Sequence, residues 1–118
     1  MFAQLMGLPV ISPRALHERM QKERLFVVDV NDESRWLAVR VPGARHLDPR
    51  AFEADDLPAD RDAPIVFYCS NPLCRKAPNA ARRAIGLGAR NVRVMSAGIS
   101  GWVNAALPTE SGTPQAAC

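Results

Sequence analysis

Two cysteines, Cys69 and Cys74, lie five positions apart and are followed at once by two cations, Arg75 and Lys76. A thiol beside positive charge, or near the start of a helix, gives up its proton more readily, and the thiolate is the form that attacks electrophiles. Cys69 is therefore the candidate nucleophile. Ser70, Asn71, Leu73, Cys74, Arg75 and Lys76 form the candidate loop that would hold its substrate. The bland alternative for Cys69 is a small buried hydrophobe, as free cysteines often are. Cys74 also has two readings: a second thiol that closes a disulfide onto an oxidised or persulfidated Cys69, or a small residue packed beneath the loop.

The elements around the loop decide what it can do. Ile65-Val66-Phe67-Tyr68 is a short apolar run, rich in β-branched and aromatic residues, that predicts a buried parallel strand with Cys69 at its end. Residues 78–85 read as an Ala-rich helix with Pro78 in its first turn. Strand, cysteine, tight loop and helix together aim backbone N–H groups and a helix N-terminus at one sulfur. The expected consequence is a Cys69 pKa lowered from about 8.5 into the range of roughly 3.5 to 7.5.

The rest of the chain supplies the frame. Ser12 and Pro13 predict the cap and first position of a helix reaching Met20. Residues 25–30, LFVVDV, read as a strand buried on both faces, with Asp29 near its end. A carboxylate there should be hydrogen-bonded, and is expected to organise the neighbouring loops as a supporting residue rather than to act as a general base. Residues 33–39 predict a short helix with Trp36 as its core anchor. Val41-Pro42-Gly43 then turns the chain into a short strand that carries His46. Residues 48–62 predict a loop with one short helix around 50–53. A strand at 91–95 is followed by a glycine-bearing turn at 96–101, the expected second wall of the pocket, and by a short helix from Trp102. His17 reads as a surface residue and His46 as structural.

Alternating strands and helices predict an α/β protein: a three-layer sandwich with a central four- or five-stranded parallel sheet and helices on both faces. The chain's 118 residues suit one domain, with a lead-in segment at 1–10, a domain body at 11–110 and a flexible tail at 111–118. Hydrophobic residues make up 47% and charged residues 23%, which is globular rather than disordered. No apolar run approaches the roughly 20 residues that span a bilayer, so no membrane partner is expected. The net charge of +3 is scattered among acids, so no nucleic-acid partner is expected either. Three cysteines, at 69, 74 and 118, are too few for a disulfide framework, which points to a reducing, cytoplasmic setting. The absence of a basic start to the first ten residues argues against a secretory signal. No metal-ligand spacing occurs, and no cofactor is expected. Cys118, near the end, reads as a bystander thiol.

With these pieces in order, the chain resembles the rhodanese-like domain family from Ile11 to about Glu110. The resemblance is carried by residues 25–30, Val41-Pro42-Gly43-Ala44, residues 65–69, Ala80-Ala81, residues 88–92, Gly98-Ile99-Ser100-Gly101-Trp102 and Leu107-Pro108. It implies a sulfurtransferase or persulfide carrier. Cys69 would take sulfane sulfur from a small anionic donor such as thiosulfate and pass it to cyanide, a thiol or an acceptor protein. Two departures stand out. The common family places arginine two residues after the strand aspartate, where this chain has Asn31, and this two-cysteine loop is about two residues longer than the usual one. A longer loop implies a larger pocket, and Pro72 removes one N–H from it. Two other functions fit the same residues: a phosphatase, from the Cys69-x5-Arg75 spacing and a bidentate arginine grip on phosphate, and a non-catalytic regulatory or redox-sensing module using Cys69 and Cys74.

Overall fold

The computed structural model describes residues 2–114. The elements run α1 (Phe2–Leu5), α2 (Pro13–Met20), β1 (Phe26–Asp29), α3 (Glu33–Ala38), β2 (Arg45–His46), a 3-10 turn (Ala54–Asp56), β3 (Ile65–Tyr68), α4 (Lys76–Gly86), β4 (Val92–Val94) and α5 (Gly98–Asn104). The strands pair in parallel in the order β2-β1-β3-β4. Beyond β4, Val10 forms an isolated parallel bridge to Val94, with Val94 N–H donating to Pro9 O and Ile11 N–H to Val94 O. The sheet is thus four strands plus a one-residue fifth at its edge.

Two-residue alternation along the strands builds the three layers. In β3, Ile65 and Phe67 point to one face, and Cys69 beyond the strand continues that row. They share a core with Val28, Val30, Phe52 and the buried alanines 77, 80, 81 and 84 of α4. Val66 and Tyr68 point to the other face, with Leu16 of α2, Met95 and Trp102 of α5. The small side chains of α4 let the helix lie close on the sheet. Its first turn is therefore fixed just beside the end of β3.

Local signals explain the start of α2. Ser12 Oγ accepts from Ala15 N–H at 3.1 Å, and Pro13 occupies the first helical position, as the sequence predicts. In the turn after α3, Gly43 has φ +77°, a conformation costly for residues with a Cβ. Helix α4 begins two residues earlier than its Pro78 signal, at Lys76, because Pro needs no N–H partner anywhere in the first turn.

Two expectations are corrected. Trp36 is half-buried and α3 buries no residue. Its indole instead lies under the Arg40 guanidinium and beside His46, and Nε1 donates to Ala44 O at 3.0 Å. The core anchor is Trp102, with no exposed surface and Nε1 donating to Pro108 O at 2.7 Å. The short helix expected around 50–53 lies at Ala54–Asp56, where Glu53 and Asp56 cap each other's backbone. Residues 50–53 are instead held by Asp48, whose Oδ1 accepts from Arg50 N–H, and by Phe52, which stacks on Phe67.

The chain beyond α5 returns to α3. Arg40 and Glu110 exchange backbone hydrogen bonds at 2.9 Å, and Gly112 N–H donates to Leu37 O at 2.7 Å. The buried Arg40 side chain donates to Gly112 O and meets Glu110. Cys118 lies outside the described residues. Among the described residues, no helix is long and apolar enough to cross a membrane.

Candidate active site

Cys69 stands where β3 leaves the sheet, 3% exposed. The loop that follows is held by its own polar groups. Asn71 Oδ1 accepts from Leu73 N–H at 2.9 Å and Asn71 O from Cys74 N–H at 3.1 Å, which turns residue 74 back toward residue 69. The Cys69 thiol donates to Cys74 O at 3.6 Å. The start of α5 clamps the same loop from the other side. Ile99 N–H donates to Cys69 O at 2.9 Å and Ser100 N–H to Ser70 O at 3.0 Å. Gly98 makes that contact feasible: its φ is +69°, and a Cβ there would fall 2.6 Å from the backbone of Ser70 and Asn71.

The loop closes tightly. Cys69, Asn71, Pro72 and Cys74 border a cleft of about 10 Å³ with Ser96 and Met95, scarcely room for one water molecule. The larger pocket implied by the longer loop is therefore absent at the sulfur. Leu73 is 69% exposed and points away. Arg75 is exposed at the N-cap of α4. Lys76 lies on the outer side, with Nζ 3.2 Å from Asp32 Oδ1. There it borders a second, open cavity of about 520 Å³ over the ends of β1 and β2, together with Asn31, His46, Arg50 and Asn79. The loop residues thus divide between two spaces. Ser96 puts the segment after β4 on the cleft, but residues 98–101, expected as a turn ahead of a helix from Trp102, are already the start of α5; Met95 and the N-terminal Ala3 are cleft residues that sequence patterns did not single out.

The electrostatics reverse one expectation. Burial pushes the Cys69 thiol up to about 12, and the neighbouring Cys74 sulfur adds to the rise; the N–H groups of Ala77 and Ser70 offset only part of it. Cys74 moves the other way. Burial opposes its ionisation, but the donated Cys69 thiol, the Lys76 and Ser70 N–H groups and the Ser70 hydroxyl together hold it below the usual thiol value. The cradle therefore serves the second cysteine better than the first in the closed state.

Asp29 is fully buried at the end of β1. Its Oδ1 accepts from Asn31 N–H at 2.8 Å and its backbone carbonyl from Leu47 N–H, so it shapes the turns after β1 and β2. Oδ2 has no partner at hydrogen-bonding distance among the described residues. Burial accordingly raises the Asp29 pKa, partly offset by the nearby Tyr68 hydroxyl, Asn31 and His46. The Tyr68 phenol is raised by the same burial and by Asp29, and it accepts from Val41 N–H at 3.1 Å. His46 Nε2–H donates to Asn31 O at 2.7 Å, a structural bond across the strand ends. His17 packs edge-on against Trp102.

Comparison with known proteins places these features in context. The sequence profile of the Rhodanese-like domain matches residues 12–105. The chain is 35% identical over 117 residues to the HTH-type transcriptional regulator Rv0324 of Mycobacterium tuberculosis, covering 95% of this chain and spanning half the length of that regulator. It is 31% identical over 106 residues to the thiosulfate sulfurtransferase GlpE of Haemophilus influenzae, covering 90% of this chain and 98% of that one. The structure of a thiosulfate sulfurtransferase from Pseudomonas aeruginosa superposes with a TM-score of 0.78 at 25% identity, over 89% of this chain and 20% of that one. The matched profile, the parallel sheet between two helical layers and the cysteine at the end of its central strand agree: the chain belongs to the rhodanese-like domain family.

Proposed function

We propose that this chain is a sulfurtransferase that carries sulfane sulfur on Cys69. The observation that carries the reading is the placement of Cys69 at the end of β3, buried beneath the loop that runs into α4. The similarity to thiosulfate sulfurtransferases supports thiosulfate as a donor.

The steps follow from thiolate chemistry. A Cys69 thiolate attacks the outer sulfur of thiosulfate; the S–S bond breaks and sulfite leaves with its electron pair. The persulfide left on Cys69 carries its charge near the Ser70 and Ala77 amides, which act on it as an oxyanion hole acts on oxygen. An acceptor thiolate or cyanide then takes the outer sulfur and returns Cys69 to its starting form. The cleft of about 10 Å³ is too small for the donor, so the loop must swing outward first. That movement admits water to the sulfur, relieving the burial that holds the thiol protonated.

The test is a rapid-mixing measurement of sulfite. Parent protein mixed with thiosulfate in the absence of any acceptor should release about one sulfite per chain, and Cys69→Ser should release none. A burst that survives in Cys69→Ser would overturn the reading.

A second reading, a regulatory module, is favoured by the similarity to a transcriptional regulator over nearly the whole chain. The phosphatase alternative predicts arylphosphate turnover lost in Arg75→Ala.

A further inference from the structure

We propose that Cys74 is the resolving thiol of this site: its sulfur attacks Cys69 Sγ within the persulfide, forms a Cys69–Cys74 disulfide and expels the sulfane sulfur as hydrosulfide. The inference rests on the Cys69 persulfide proposed above and adds to it the fate of the sulfur.

Three features of the geometry lead there. Cys69 and Cys74 border one cleft, and the Cys69 thiol donates to the Cys74 carbonyl oxygen at 3.6 Å. The Asn71 turn brings residue 74 back toward residue 69. The cleft is narrow, about 10 Å³, so a persulfide on Cys69 and the Cys74 side chain share one confined space. The two thiols also divide the work by exposure: Cys69 is buried and Cys74 is half-buried. An external reductant can therefore reach the Cys74 side of the disulfide and release Cys69 as the leaving thiol. The groups facing the Cys74 sulfur, the Lys76 and Ser70 N–H donors and the Ser70 hydroxyl, favour its thiolate, the form that attacks. A residue serving only to fill space beneath the loop would not need them.

The step balances without an outside oxidant. The Cys74 thiolate supplies the electron pair of the new S–S bond. The bond between Cys69 Sγ and its outer sulfur breaks, and that charged sulfur leaves with the bonding pair, becoming HS⁻ by taking up the proton that the Cys74 thiol gave up. The two cysteine sulfurs lose two electrons in total, and the zero-valent sulfane sulfur gains both. A dithiol reductant returns the disulfide to two thiols for the next cycle.

The experiment uses fully reduced protein under anaerobic conditions, mixed with thiosulfate and no other thiol. Hydrosulfide is measured in solution, and the tryptic peptide of residues 62–75, which holds both cysteines, is weighed without reduction. The inference predicts hydrosulfide release and a parent peptide about 2 Da lighter that resists alkylation, while in both Cys74→Ser and Cys74→Ala the peptide keeps its sulfur at about 32 Da heavier and hydrosulfide is not formed. A parent peptide that holds the extra sulfur, with Cys74 still open to alkylation and no hydrosulfide, would overturn the inference and leave the carrier reading standing. Absence of sulfur on the parent and on both Cys74 variants, with no hydrosulfide, would overturn the carrier reading and this inference with it.

Discussion

A buried thiol pushed up to about 12 sits beside one held below its usual value, and this sets the order in which the pair ionises. As pH rises, the proton of Cys74 should leave first. Timed alkylation at about pH 7 should modify Cys74 several-fold faster than Cys69, read as the two singly modified forms of the peptide of residues 62–75. The sulfite burst, which needs the Cys69 thiolate, should speed up steadily from about pH 6 to about pH 9 rather than level off near neutrality. Asp29 gives a second pH signature. Its folded-state pKa is raised, so between the unfolded value of 3.8 and the higher folded value the native state binds more protons, and stability falls as pH rises through that window. Asp29→Asn removes the buried charge and keeps the acceptor for Asn31 N–H. The variant should unfold at a higher temperature than the parent at pH 7, by a margin that shrinks towards pH 4. The pairing of thiols was legible in the sequence only as a spacing. Which of the two the amides favour depends on how far Asn71 bends the loop, and no local pattern encodes that.

At the scale of elements, the site is a junction between β3, α4 and α5, and Gly98 is where the third of these meets the cysteine loop. Gly98→Ala places a methyl group 2.6 Å from the Ser70 and Asn71 backbone and also requires the left-handed conformation. The variant should lose roughly 1–3 kcal/mol in denaturant unfolding, and its sulfite burst should slow more than that of Ser12→Ala, which loses about 1 kcal/mol at the α2 cap without touching the Ser70 and Asn71 backbone. Strand β3 and the helix caps were readable because continuous apolar runs, Ser-Pro caps and glycine turns are local signals. Where packing decides, the sequence was ambiguous. Trp36 and Trp102 both sit on short helices, yet only Trp102 falls in a buried cluster with Leu16 of α2 and Val66 and Tyr68 of β3, whereas α3 buries nothing. The 3-10 turn at Ala54–Asp56 follows a capping box whose acidic residues look like any polar loop.

At the scale of the molecule, a single sheet separates two apolar layers, and the site lies at the strand ends where both layers reach the cysteine loop. The radius of gyration, 13.1 Å, is that expected of one domain of this length. Trp102 is the largest side chain without exposed surface and joins α5 to α2 and to the sheet. Trp102→Ala should cost about 3–5 kcal/mol, a large share of the roughly 5–15 kcal/mol that holds such a domain folded. Its effect on the site should appear as unfolding rather than as a changed pH profile. The measurement that tests the central claim most directly is thiocyanate formation from thiosulfate and cyanide by the parent and by Cys69→Ser, with both shown to be folded by circular dichroism. Thiocyanate should form on the parent, with repeated turnover where a dithiol reductant reopens the Cys69–Cys74 disulfide, while Cys69→Ser gives only background. Comparable turnover by the two proteins would contradict it.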